Sequence, residues 1–138
     1  MPLVRISLKQ DHSPASRKAI ADTVHRALVN SLSVPEGDRF QIVSSHGDDL
    51  IYDPAYLGIQ RTDGIVIIQV QMAAGRTVEQ KKRLYREIAE TLAANNGIRP
   101  QDVFVNLVEV ARENWSFGDG IAQYADAAPA HLAALAQG

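Results

Sequence analysis

The sequence predicts an α+β fold in which two tandem β-α-β units form a four-stranded mixed sheet with two helices on one face. Three observations predict it. Four short stretches are rich in β-formers, 3–8, 39–43, 65–71 and 103–110. Two long stretches between them, 14–32 and 77–95, carry an apolar residue about every fourth position. The order strand, helix, strand then occurs twice, with an offset of about 62–65 positions throughout. A right-handed crossover in each unit puts both helices on the same side of the sheet.

Taken in order, Leu3, Arg5 and Ser7 alternate with Val4, Ile6 and Leu8, so the first strand has one apolar face. Ser13-Pro14 is an N-cap followed by a proline at the first helical position. Ile20, Val24, Leu28 and Leu32 then make the buried stripe of the first helix, and Arg17, Lys18, Asp22, His25 and Arg26 fall largely on the other side. Val34-Pro35-Glu36-Gly37-Asp38 ends it, ahead of the second strand. Residues 44–64 are rich in turn-formers and read as a long surface connection with one short edge strand at Leu50-Ile51-Tyr52. Ile65 to Gln71 is nearly all apolar, as suits an interior strand. Thr77 and Gln80 form a capping box for the second helix, whose stripe is Leu84, Ile88 and Leu92 and whose end is Asn96-Gly97. After the fourth strand, Asn114 to Tyr124 is aromatic and glycine-rich, as in a short hairpin or a reach across to a neighbouring subunit. Residues 126–136, mostly Ala, read as a weak terminal helix. A single domain, 1–138, is expected, with halves at about 2–64 and 65–125 and a tail at 126–138.

Composition narrows the function. A net charge of −2 without a basic run disfavours nucleic acid and anionic membranes as partners. No apolar run approaches the roughly 20 residues of a membrane span. The absence of cysteine removes disulfides and thiolate chemistry and fits a reducing compartment, so a cytoplasmic protein is expected. The four histidines show no ligand spacing, and no metal or cofactor is expected. Two helices on one face leave the other face bare, and a sheet face of that size is best covered by further copies of the chain.

Chemistry concentrates at the amino terminus. Removal of Met1 would leave Pro2 with a free secondary amine, which can serve as base, acid or nucleophile towards a carbonyl. The alternative is that Pro2 merely starts an edge strand, where proline is well tolerated. Asp38 is either a turn residue heading a strand or a functional carboxylate. Arg76, just before a helix start, is either a solvated cation or an anion ligand, its planar fork suiting a carboxylate. Trp115 and Phe117 suit an interface core or a pocket wall.

Pro2, the segment Val34-Pro35-x-x-Asp38-Arg39-Phe40-Gln41-Ile42, Leu57-Gly58, Gly75-Arg76 and Asn114-Trp115-Ser116-Phe117-Gly118, spread over residues 2 to about 125, together resemble the tautomerase superfamily, and most of all its malonate semialdehyde decarboxylase group. The resemblance implies a homotrimer with three sites, each around one amino-terminal proline. It implies Pro2, Asp38 and Arg76 as catalytic, Arg76 as the ligand of a substrate carboxylate, and Trp115 and Phe117 as pocket walls. The expected activity is a cofactor-independent decarboxylase or tautomerase acting on a small oxo acid such as malonate semialdehyde. Hydration or dehalogenation of unsaturated acids, or a non-catalytic trimer if Met1 is retained, are the alternatives. The decarboxylases carry two arginines before the second helix, two positions apart; here position 74 is Ala and only Arg76 is present.

Overall fold

Each helix starts and stops on a local signal. In the computed structural model, which describes residues 2–127 and 130, the elements are β1 (Leu3–Leu8), α1 (Pro14–Leu32), β2 (Phe40–Ser45), β3 (Val66–Ala73), α2 (Val78–Asn96) and β4 (Val103–Val110). The Ser13 hydroxyl accepts from the Ser16 amide at 3.1 Å and opens α1. Thr77 and Gln80 exchange side-chain to backbone hydrogen bonds of 3.1 and 2.8 Å and open α2. Gly97 ends α2 in the left-handed region at φ 66°; Ser33 ends α1 there too, at φ 57°, where residues other than glycine are uncommon.

The sheet order is β2-β1-β3-β4. β1 runs parallel to β2 and antiparallel to β3, and β3 runs parallel to β4, so the sheet is mixed. Elements of the second half begin 63 or 64 positions after their counterparts: Leu3 and Val66, Pro14 and Val78, Phe40 and Val103. Val4, Ile6 and Leu8 of β1 and Val66, Ile68, Val70 and Met72 of β3 face the helices and are buried against Ile20, Val24, Leu28 and Leu32 of α1 and Leu84, Ile88 and Leu92 of α2. Each large aliphatic so buried contributes about 1.5–3 kcal/mol. Thr23 at the middle of α1 meets Asn96 at the end of α2, at 2.9 Å, while the Ser31 carbonyl near the end of α1 accepts from Arg83 in the first half of α2 at 2.8 Å, so the two helices lie antiparallel. On the opposite face of the sheet Phe40, Ile42, Phe104 and Val108 are 51%, 45%, 48% and 37% exposed. Arg5, Gln69, Gln71 and Asn106 lie between them by register.

Three expectations need correction. Residues 50–52 form no strand. Leu50 is buried as an anchor, and its carbonyl accepts from Lys9 Nζ at 2.9 Å instead of from a strand, between single helical turns at 47–49 and 56–58. Residues 114–124 form no hairpin: the left-handed backbone at Gly118, Asp119 and Gly120 coils the chain, and the Gln123 side chain takes the place of a strand ladder. His25 does not face solvent but is 5% exposed, because the connection leaving α1 folds back over it. The terminal helix expected over 126–136 lies, apart from Asp126, Ala127 and Ala130, outside the described residues.

Candidate active site

Register brings the sequence-predicted residues to one end of the sheet. Leu3 pairs with Phe40 on one side and Gln71 on the other. Pro2, buried, directly precedes Leu3. Asp38 lies two residues before Phe40 in the parallel neighbour, and Ala73 lies two beyond Gln71 in the antiparallel one. Adjacent strands are about 4.8 Å apart, so Pro2, Asp38 and the end of β3 are neighbours by construction. Gly75, at φ 126°, turns the chain from β3 towards α2 and sets Arg76 just beyond that end.

Arg76 is 8% exposed. Its Nη1 donates to the Ala73 carbonyl at 3.3 Å and its Nη2 to the Leu32 carbonyl at 3.4 Å. Leu32 is the last residue of α1, so the guanidinium meets a carbonyl that the helix leaves without an internal partner. Nε of Arg76 is buried and has no hydrogen-bond partner among the described residues. Burial pushes the guanidinium pKa down, with the Glu109 carboxylate pulling it the other way. Arginine nonetheless keeps its proton, and the result is a poorly solvated cation with an N–H to spare.

The aromatic wall stands beside it. Trp115 and Phe117 stack at 5.4 Å with planes 5° apart, and Tyr124 tilts onto Phe117 at 4.8 Å. Phe40 reaches Phe117 from the sheet at 6.5 Å. Trp115, Phe117 and Tyr124 all pack on Ala73, whose carbonyl also holds Arg76. Trp115 Nε1, like Arg76 Nε, is buried without a partner among the described residues. The loop keeps its shape through Gln123, whose Oε1 accepts from the Phe117 amide at 3.0 Å and whose Nε2 donates to the Gly118 carbonyl at 3.0 Å.

Pro35, Gly37, Asp38, Phe40, Phe117, Gln123 and Tyr124 line a cleft of about 470 Å³, open to solvent on this isolated subunit. The structure thus brings Asp38 and Phe117 to one cleft, with Trp115 behind Phe117 and Arg76 and Pro2 at the same end of the sheet. Sequence reasoning misses Tyr124 and Gln123 as wall and fastener. The signal available for them is the aromatic at 124 following Trp115 and Phe117 across a glycine-rich stretch. Among the described residues, no three His, Asp or Glu side chains gather as a metal site, and no helix is long and apolar enough to cross a membrane.

A family described as "Tautomerase enzyme" matches residues 38–118, more than half of the chain. The chain belongs to the tautomerase family. Its curated relatives include two probable tautomerases of Bacillus subtilis (strain 168). YusQ is 39% identical over 124 residues, covering 89% of this chain and 98% of that protein, and YrdN is 37% identical over 125 residues, covering 90% and 96%. Among solved structures, a malonate semialdehyde decarboxylase inhibited by 3-bromopropiolate is 49% identical with a TM-score of 0.82, covering 88% of this chain and 93% of that one. A second malonate semialdehyde decarboxylase, described as having decarboxylase and hydratase activities, is 34% identical with the same TM-score, covering 88% and 94%. This chain is accordingly an enzyme of the tautomerase superfamily, similar in fold and sequence to decarboxylases of a small oxo acid.

Proposed function

We propose that this tautomerase-family chain is a cofactor-independent decarboxylase of a small 3-oxo acid, malonate semialdehyde being the reference substrate, with Pro2 as its amine after loss of Met1. The observation that carries the reading is a pair of buried N–H groups without partners among the described residues, Arg76 Nε and Trp115 Nε1, both on side chains that touch Ala73. Leaving such donors unsatisfied costs about 1–3 kcal/mol each, a cost that a bound carboxylate or carbonyl oxygen relieves. Arg76 would grip the substrate carboxylate, and the stacked Trp115 and Phe117 would keep water away from it. As the carbon–carboxylate bond breaks, its electron pair flows into the neighbouring carbonyl. A protonated Pro2 hydrogen-bonds the developing enolate oxygen, or a neutral Pro2 condenses first to an iminium that accepts the pair. Carbon dioxide leaves, and protonation of the enolate yields acetaldehyde; on the iminium route the protonated product is still bound to Pro2, and water hydrolyses that iminium to acetaldehyde and the free amine. Asp38 favours the cationic form of an adjacent amine.

The bare sheet face, with Phe40, Ile42, Phe104 and Val108 exposed, supports assembly into a homotrimer in which other copies cover it. One tautomerase-like domain over the whole chain and a cytoplasmic location belong to the same proposal. Hydration of unsaturated acids is a second reading of the same residues, supported by the hydratase activity of the 34%-identical relative and by the unsaturated haloacid that inhibits the 49%-identical one.

Three measurements test the reading. Mass spectrometry of the purified protein reports whether Met1 is gone; a retained Met1 makes the Pro2 nitrogen an amide and ends the proposal. Loss of malonate semialdehyde should fall by 100-fold or more in Pro2→Ala, roughly what removal of a reacting group costs, with the assembly unchanged. Incubation with 3-bromopropiolate should abolish turnover and leave a covalent adduct, formed with loss of bromide, on the amino-terminal peptide.

A further inference from the structure

His25 is the one histidine among the described residues that is buried. It sits on α1 between core residues Val24 and Ala27, yet it serves the connection leaving the helix. Its Nε2 lies 2.8 Å from the backbone carbonyl of Glu36. A carbonyl only accepts, so Nε2 carries the proton and donates. Two neighbours on α1 hold the same connection from solvent: Arg26 pairs with the Glu36 carboxylate, and Asp22 accepts from Arg39 Nη2 at 2.7 Å. Exposed ion pairs of this kind are weak and fade with salt. The His25 bond is the better shielded one, partly buried and made by an imidazole that is itself buried.

The held segment is the one that carries Asp38. The Asp38 amide donates to the Pro35 carbonyl at 3.0 Å and closes a turn around Glu36 and Gly37. Pro35, Gly37 and Asp38 face the candidate cleft, while His25, Arg26, Glu36 and Arg39 line a separate polar pocket of about 460 Å³ on the other side of the strip. Segment 35–39 is thus a thin wall, gripped from behind, with Asp38 on its front. Gly37 imposes little backbone restraint between the gripped residue and Asp38.

We propose that His25 is a positioning residue: its hydrogen bond to the Glu36 carbonyl keeps the 35–38 turn closed, so that Asp38 faces the reacting centre. The role of Asp38 itself rests on the function proposed above, but the effect on the turn does not. The test therefore has two readouts. In hydrogen exchange, His25→Ala should speed exchange of the Asp38 amide roughly tenfold, a loss of local protection. His25→Gln, whose side-chain amide can donate from a similar reach, should restore it. His25→Asn, too short to reach, should behave as Ala does and replaces it if the Ala protein does not fold. Unchanged Asp38 exchange overturns the proposal whatever the substrate. In kinetics with malonate semialdehyde, His25→Ala should lower kcat roughly tenfold with little change in KM, and should have no further effect on kcat in an Asp38→Asn background. An equal loss in both backgrounds overturns the proposal while leaving Asp38 its role. Asp38→Asn with full turnover instead removes Asp38 from the mechanism, and the kinetic half of the proposal with it.

Discussion

Arg76 donates through Nη2 to the carbonyl of Leu32, 44 residues earlier in the chain, at 3.4 Å. The bond ties the start of one β-α-β unit's helix to the end of the other's. It also means that the residue proposed to bind substrate is already in structural service, holding the last carbonyl of α1 with one arm and the end of β3 with the other. What remains for a ligand is the edge with Nε.

Removing that side chain should therefore have two separable consequences. Arg76→Ala should raise the KM for malonate semialdehyde at least tenfold and also lower stability, because hydrogen bonds from a charged group contribute about 1.5–3 kcal/mol. Arg76→Lys keeps the charge but loses the fork, so its stability loss should be smaller than its KM penalty. Kinetics and chemical denaturation on the same samples separate the two. Unchanged KM in both variants would remove Arg76 from substrate binding.

The indole N–H can be deleted while an aromatic ring is kept. Trp115→Phe keeps an aromatic surface for the stack on Phe117 but loses the buried donor together with the second ring of the indole. A neutral hydrogen bond contributes about 1 kcal/mol, so kcat/KM should fall roughly five- to tenfold, with a modest drop in melting temperature from the smaller ring. A variant as active as the parent would return Trp115 to the role of a plain wall.

Assembly should respond to charge on the bare sheet face. Ile42, on the edge strand β2, is 45% exposed in the isolated subunit. Buried in a trimer, Ile42→Asp would leave an unpaired carboxylate in an apolar contact, a cost of several kcal/mol. Sedimentation should show smaller species for this variant. A trimer of unchanged stability would mean that the face is covered by something else.

Acid should weaken the ties around Asp22. Its carboxyl is held below the ordinary value of 3.8, first by the hydrogen bond from Lys18 and then by that from Arg39. A depressed folded-state pKa contributes stability that is present above 3.8 and disappears as pH falls through the folded value. The group is largely solvent-screened, so the contribution is about 0.2–1 kcal/mol. Asp22→Asn should be less stable than the parent near neutral pH and indistinguishable from it well below pH 3.8, as read from denaturant midpoints. A gap that persists in acid would assign the loss to packing.

Much of this molecule is legible without coordinates, because its elements are set by short-range chemistry. Alternation in Val4, Ile6 and Leu8, the four-residue spacing of Ile20, Val24, Leu28 and Leu32, the Ser13 cap and the Thr77–Gln80 box each depend on residues close in the chain. Their repetition at a fixed offset carries the two β-α-β units and the shared helix face as well; the strand order β2-β1-β3-β4 and the antiparallel contact of β1 with β3 come from the tertiary structure. The short strand expected at 50–52 fails because strand formation needs a partner edge, and Lys9 occupies the Leu50 carbonyl instead.

The sequence by itself determined the four strands, the two capped helices, their pairing into similar halves, and the residue types on which the proposed chemistry depends. Tertiary structure decided which of those residues meet and how they are held. It set Arg76 against the ends of α1 and β3, stacked Trp115 on Phe117 and tilted Tyr124 onto Phe117 with Gln123 fastening the loop, and turned His25 inward to grip the strip that bears Asp38. The reason is range: periodicity and caps act over a few residues, whereas a buried donor finds its carbonyl, or goes without one, only after distant segments have packed.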